Sequence, residues 1–164
     1  MRDFEDYCWR DLVDDEVRYI YSPYVRSRGV GKRPALLVIH GPLPEGAKRL
    51  IDEFRGRRLP VVHSGKAEGG DEPVVARPCE SAFFSTDLER VLKRLGAHSL
   101  VVCGAPTSGA VRASAVEGKS FGYKVAVAEE AVADETALLH KIALFDMAHK
   151  YADVMSLDEL VGEL

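Results

Sequence analysis

The stretch Gly104-Ala105-Pro106-Thr107-Ser108-Gly109-Ala110-Val111-Arg112-Ala113-Ser114-Ala115 follows an apolar run and opens a helical one. A glycine-marked turn between a buried strand and a helix is the repeating unit of α/β domains. The same alternation runs through the chain from residue 35 onward. Segments 35–39, 60–63, 74–76, 99–103, 124–128 and 153–155 read as strands, short and rich in valine, as strands buried on both faces are. Between them Ala47, Leu50, Ile51 and Phe54 recur at helical spacing. So do Leu88, Val91, Leu92 and Leu95, and then Leu138, Leu139, Ile142 and Phe145. Residues 107–121 form the helix that follows the turn. The pattern predicts a three-layer α/β/α domain over residues 35–164, with a six-stranded, mainly parallel sheet.

Residues 1–34 stand apart as an aromatic arm. Six of the chain's aromatics lie in its first 24 residues: Phe4, Tyr7, Trp9, Tyr19, Tyr21 and Tyr24. Trp9, Leu12, Val13, Val17 and Ile20 fit one helix face, which Pro23 would end. An arm this aromatic is poorly solvated alone and is expected to dock on the domain or on a neighbouring subunit.

Bulk composition narrows the classes of function. The chain has 164 residues, 46% of them hydrophobic, which suits one domain with a substantial core. Lys and Arg number 22 against 26 Asp and Glu, giving a net charge of −4 and no reason to expect nucleic acid. The local run Arg55-Gly56-Arg57-Arg58 reads as a solvated helix end. No run reaches the ~20 apolar residues of a membrane span. The N-terminus lacks an apolar signal core, so the expected location is the cytoplasm. Cys8, Cys79 and Cys103 show no metal spacing and fit reduced thiols. Asn and Gln are absent altogether, a depletion of thermolabile amides that suits a thermophilic source.

Four segments together carry a family likeness. Lys32-Arg33-Pro34-Ala35-Leu36-Leu37-Val38-Ile39, Ser81-Ala82-Phe83-Phe84-Ser85-Thr86-Asp87-Leu88, the Gly104 turn, and Ala143-Leu144-Phe145-Asp146-Met147-Ala148-His149-Lys150-Tyr151-Ala152-Asp153-Val154 resemble corresponding parts of the isochorismatase-like cysteine hydrolases. The likeness covers roughly residues 30–164 and is nearest the N-carbamoylsarcosine amidase branch. It implies that family's α/β/α fold and, from the family habit, a homo-oligomer (dimer or tetramer) assembled through the arm.

The resemblance also implies a chemistry that these residues do not supply. The family uses an aspartate, a lysine and a cysteine whose thiolate is favoured at a helix N-terminus. The matching positions here are His40, Arg77 and Ala110. The family's cis peptide falls at Ala105–Pro106, where proline makes a cis bond cheap, at ~0.5–1 kcal/mol. Pro106 has no N–H, so the oxyanion donor expected there is missing, and losing such a donor costs ~3 kcal/mol of transition-state stabilisation. Connections that build pocket walls are short, with Gly41-Pro42-Leu43-Pro44 alone between the first strand and its helix, and 64–73 before the third strand.

His40, His63, Arg77, Pro106, Thr107 and Ala110 are the candidate ligand-binding residues. His40 and His63 end neighbouring strands. As a zinc site they are incomplete without a third ligand such as Asp71 or Glu72, and no metal or cofactor is assigned. Arg77 suits either a carboxylate or phosphate anchor or a pairing with Glu80. Cys79 and Cys103 are the candidates for a relocated nucleophile, against which Cys103 reads as a buried core residue; Ser108 reads as a helix cap, and Lys66, a conceivable stand-in for the family's lysine, as a solvated loop residue. The expected function is a homologue without cysteine-dependent hydrolysis that serves as a structural, regulatory or small-molecule-binding protein. The alternative is a divergent hydrolase of a small amide or N-carbamoyl compound using His40 and Arg77, with or without a metal.

Overall fold

The first strand, β1 (Pro34–Ile39), is buried along its whole length, and its alternate residues feed two different cores. In the computed structural model, which describes residues 3–24, 28–65 and 70–164, Ala35, Leu37 and Ile39 face one side of a sheet and Leu36 and Val38 the other. Leu100 and Val102 against Val101 and Cys103, and Val125 and Val127 against Ala126 and Ala128, repeat the division. A strand with both faces covered can be apolar throughout, which is why these segments lack a polar alternation.

Ahead of β1, two 3₁₀ turns (Phe4–Asp6 and Arg10–Leu12) precede the short helix α1 (Asp15–Tyr21). After it come α2 (Glu45–Gly56), β2 (Val61–Ser64), β3 (Val74–Val75), α3 (Leu88–Arg94) and β4 (Ser99–Gly104). A wide turn over Thr107–Val111 leads into α4 (Arg112–Ser120), followed by β5 (Lys124–Ala128), α5 (Ala137–Lys150), β6 (Asp153–Met155) and α6 (Leu157–Gly162). The six strands pair in parallel in the order β3-β2-β1-β4-β5-β6. Helices α2 and α6 cover one face; α3, α4 and α5 cover the other. The six-stranded parallel three-layer fold is the one expected from the sequence.

Because β1 and β4 are neighbours while the chain winds outward from each, the winding reverses between them. In such sheets the crevice beyond the carboxyl ends of those two strands is where ligands bind. At that point Ile39 pairs with Gly104. A Cβ on Gly104 would stand 1.9 Å from the Ile39 carbonyl oxygen, and the residue has φ +116°, so only glycine fits. The Ala105–Pro106 peptide that follows is cis.

Three features depart from expectation. The arm's helix begins only at Asp15, because the Asp14 carboxylate caps it by accepting from the Val17 amide at 2.9 Å; Trp9 and Leu12 precede it. On α5, Leu138, Leu139 and Ile142 are exposed, and the buried stripe is Ala143, Leu144 and Met147. Helix α6 was not anticipated, although the reciprocal Ser156–Glu159 cap starts it.

The arm packs on the chain's own core. Phe4, Tyr7 and Trp9 are buried with the residues of α3, α4 and α5. Trp9 stacks on Tyr7 at 4.3 Å and meets Phe145 edge-on at 6.1 Å, while Lys141 pairs with Asp11 at 2.6 Å. The path to β1 is then held from the far end of the chain. The Gly29 amide donates to Asp153 at 2.6 Å and the Val30 amide to Glu163 at 2.6 Å.

Trp9 is fully buried, and removing so large a side chain leaves a cavity. Trp9→Ala is therefore expected to lower unfolding free energy by about 3–5 kcal/mol in urea melts followed by circular dichroism. A loss under about 1 kcal/mol would show that the arm is not part of this core.

Candidate active site

His40 follows β1 directly and lines a cleft of about 290 Å³ at the carboxyl edge of the sheet. Gly41, Pro42, Arg77, Ala105, Pro106, Ala133, Asp134 and Glu135 complete its wall. The cleft thus presents one imidazole, one guanidinium and two carboxylates, and among the described residues no thiol or hydroxyl lines it.

Behind His40 runs a chain of polar contacts. His40 Nε2 lies 2.8 Å from His63 Nδ1, and His63 Nε2 lies 2.5 Å from a Glu72 oxygen. Both Glu72 oxygens accept from Arg55, Nε and Nη2 each at 2.8 Å. The Arg55 hydrogen bonds hold the Glu72 carboxyl down at about 2, against its burial and with help from His63. The ionised Glu72 accepts a hydrogen bond from His63 Nε2, and the other ring nitrogen of His63 shares a hydrogen bond with His40. His63 is only 2% exposed, so this order is shielded from bulk water.

The opposite wall is built by the β4–α4 turn. Its backbone is tied to the segment after β5: the Thr107 amide donates to the Ala133 carbonyl at 2.8 Å and the Ser108 amide to the Asp134 carboxylate at 2.7 Å. Burial pushes the Asp134 carboxyl up, but hydrogen bonds from Ser108 and Glu135 outweigh it, so the group titrates below its ordinary range. Thr107 Oγ1 meets His140 Nδ1 at 2.9 Å, where burial lowers the imidazole's pKa. The turn kinks at Gly109 (φ −102°, ψ −107°), and a Glu80 oxygen sits 2.9 Å from where a Cβ on that glycine would stand. That contact places Glu80 over the turn rather than on Arg77. Arg77 Nη1 donates to the Cys79 carbonyl at 3.1 Å, and its buried Nε has no hydrogen-bond partner.

Of the six candidate residues, His40, Arg77 and Pro106 line the cleft. His63 sits behind His40, while Thr107 and Ala110 are fully buried beneath the turn. Lys66 lies outside the described residues. Among the described residues, no group of three or more His, Cys, Asp or Glu side chains is arranged to hold a metal. Cys103 is buried, and burial pushes its thiol up to about 12; Cys79 is exposed outside the cleft wall. No helix among the described residues is long and apolar enough to cross a membrane. Sequence reasoning missed Arg55, Asp134 and Glu135. Asp134 and Glu135 follow a strand at the same edge as His40, and that position was their available signal.

A parallel sheet with a polar cleft at its winding reversal defines the chain as a doubly wound α/β domain of the ligand-binding kind. The chain belongs to the isochorismatase family: residues 65–159 match the isochorismatase domain. Arg77, Pro106, Thr107 and Ala110 fall inside that match, and His40 and His63 before it. The chain is similar to maleamate amidohydrolase of Pseudomonas putida, 34% identical over 157 residues, which cover 96% of this chain and 68% of the relative. It is also similar to N-carbamoylsarcosine amidase of an Arthrobacter species, 30% identical over 98 residues, covering 60% of this chain but only 37% of that protein. This chain therefore spans well under two thirds of the amidase's length. The structure of an isochorismatase family protein from Burkholderia thailandensis superposes with a TM-score of 0.74 at 21% identity, covering 85% of this chain and 99% of that one, and supports the fold.

The Glu72 network carries a pH signature. Its folded carboxyl titrates at about 2 against an ordinary 4.5, so the unfolded chain takes up the proton first as pH falls. The network's contribution is full above 4.5 and is lost between 4.5 and about 2. Melting temperatures measured across that window should fall more steeply for the wild type than for Glu72→Gln. Equal slopes would show that Glu72 is not held by Arg55.

Proposed function

We propose that this chain is an isochorismatase-family homologue that performs no cysteine-dependent hydrolysis and whose cleft holds a small polar ligand. The supporting observation is the makeup of the wall. Among the described residues no thiol or hydroxyl lines the cleft, and Ala110, at the position the family resemblance gives to the nucleophile, is a fully buried methyl group. Substitution of His40 and Arg77 at the other two positions belongs to the same reading, as does Pro106, which cannot donate to an oxyanion.

What the cleft offers instead is recognition. Arg77 presents a guanidinium suited to a carboxylate or similar anion, and Asp134 and Glu135 face it with acceptors for an amide or ammonium group. A small zwitterion or a carboxylate-bearing amide matches both ends. Self-association goes with this reading: Leu138, Leu139 and Ile142 stay exposed on the helix that receives the arm, as do Tyr19 and Ile20 on the arm itself. Light scattering that reports a monomer would remove that part.

One observation favours a second reading. The His40–His63–Glu72–Arg55 chain orients an imidazole at the cleft, the kind of group that serves as a general base toward a water beside a carbonyl bound at Arg77. The two readings separate in one assay of purified protein with maleamate, N-carbamoylsarcosine, nicotinamide and isochorismate at elevated temperature. Turnover no faster than a heat-denatured control is expected. Turnover that His40→Ala abolishes would overturn the first reading in favour of the second.

A further inference from the structure

We propose that the end of the sheet opposite the cleft carries a second binding site, a cradle for a small phosphate ester built on Arg33 and Arg58. The fold brings three distant basic segments together there: Lys32-Arg33 leading into β1, Arg57-Arg58 leaving α2, and Lys93-Arg94 closing α3. Between them lies a cleft of about 310 Å³, with Arg33 and Arg58 on its rim and Leu59, Leu95 and two prolines in its lining.

The two rim arginines differ from the nearby cations that have an acid partner. Arg57 has Glu53 at 3.4 Å, Lys93 has Glu89 at 2.5 Å, and Arg55 has Glu72. Neither Arg33 nor Arg58 has a side-chain hydrogen bond or ion pair among the described residues. In a chain whose net charge is −4, two arginines on one cleft without an acid partner are a local electrostatic surplus.

Their backbones point the same way. Three non-glycine residues among those described have positive φ, and two of them are Arg33 (+48°) and Arg58 (+58°). Arg58 can be compared directly with a glycine. Helices α2 and α3 end in the same closure, with Leu59 N donating to Phe54 O at 2.8 Å in one and Ala97 N to Leu92 O at 3.0 Å in the other. In α3 the left-handed position of that closure is Gly96 (φ +69°), the ordinary choice. In α2 the same position is Arg58, which adopts a conformation that its own Cβ disfavours. Capping alone does not call for an arginine there. Arg33 reaches the end of α3, its Nη1 lying 4.0 Å from where a Cβ on Gly96 would stand.

Forked, permanently charged donors match phosphate oxygens two at a time, and the leucines and prolines supply an apolar seat for the ester's organic part. A compact dianion with a small apolar body fits this combination better than a long polyanion, since the cleft is bounded by α2, α3 and β1.

The test is an amide NMR titration of the full chain with phenyl phosphate, with sodium sulfate at matched ionic strength and benzoate as controls. Phenyl phosphate should shift the amides of Arg33, Arg58, Leu59 and Gly96 saturably. Arg58→Gly and Arg33→Gly should each weaken binding by about tenfold or more. Both should melt no lower than the wild type, because glycine suits either backbone. Absence of saturable shifts, equal shifts from sulfate or benzoate, or unchanged affinity in Arg58→Gly would overturn the proposal. So would tighter binding of a short single-stranded DNA at the same amides, which would mean a polyanion surface instead of an ester site.

Discussion

Everything about the cleft depends on how closely β1 and β4 approach at their carboxyl ends. The carbonyl of Ile39 occupies space that any side chain at residue 104 would need. That contact sets where His40 leaves β1 and where Ala105 and Pro106 leave β4, so the two walls of the cleft start from one point of contact. The bridge from Gly104 to Val132 extends the same alignment to the segment carrying Asp134 and Glu135. A site assembled from four separate chain segments is thus positioned by backbone packing before any of its own polar contacts form.

The polar contacts then fall into two distinct groups. On one side a pair of imidazoles, the inner one buried, is ordered by a carboxylate, which is ordered in turn by an arginine from α2. A buried hydrogen-bonded series of this kind is favourable only when every member has a partner, and here each link closes on the next. On the other side, the β4–α4 turn is held by main-chain bonds to residues 133 and 134. The first group fixes how His40 stands at the cleft. The second is scaffold, and its one polar gesture toward the cleft is the Asp134 carboxylate it has already engaged.

Much of this was legible in the amino-acid sequence, and the exceptions share a cause. Strands buried on both faces announce themselves as valine-rich runs, and β5 and β6 were located to the residue. Helical spacing at Leu138, Leu139 and Ile142 correctly marked a helix but named the wrong face, because the side that packs uses the smaller Ala143 with Leu144 and Met147. Trp9 and Val17 fit one periodic face on paper, yet the cap at Asp14 separates them. The placement of His40 and His63 at adjacent strand ends followed from the alternation alone. Their bond to one another, and the role of Glu72 behind them, depended on the path of the loop before β3, which no periodicity encodes. The family likeness was readable because it rests on local motifs; what the cleft binds is set by side chains that meet only in three dimensions.

The way the arm is held has a consequence for the order of events during synthesis. Phe4, Tyr7 and Trp9 are made before α5, yet their binding surface includes that helix, and the stretch behind them is pinned by Asp153 and Glu163 far along the chain. The most aromatic part of the chain must therefore remain undocked while nearly the whole domain emerges from the ribosome. Exposed aromatic surface of that kind is what holdase chaperones bind and what drives nascent chains to associate. The same intramolecular clasp that buries Trp9 in the finished protein makes its first two dozen residues the segment most in need of protection while it is being made.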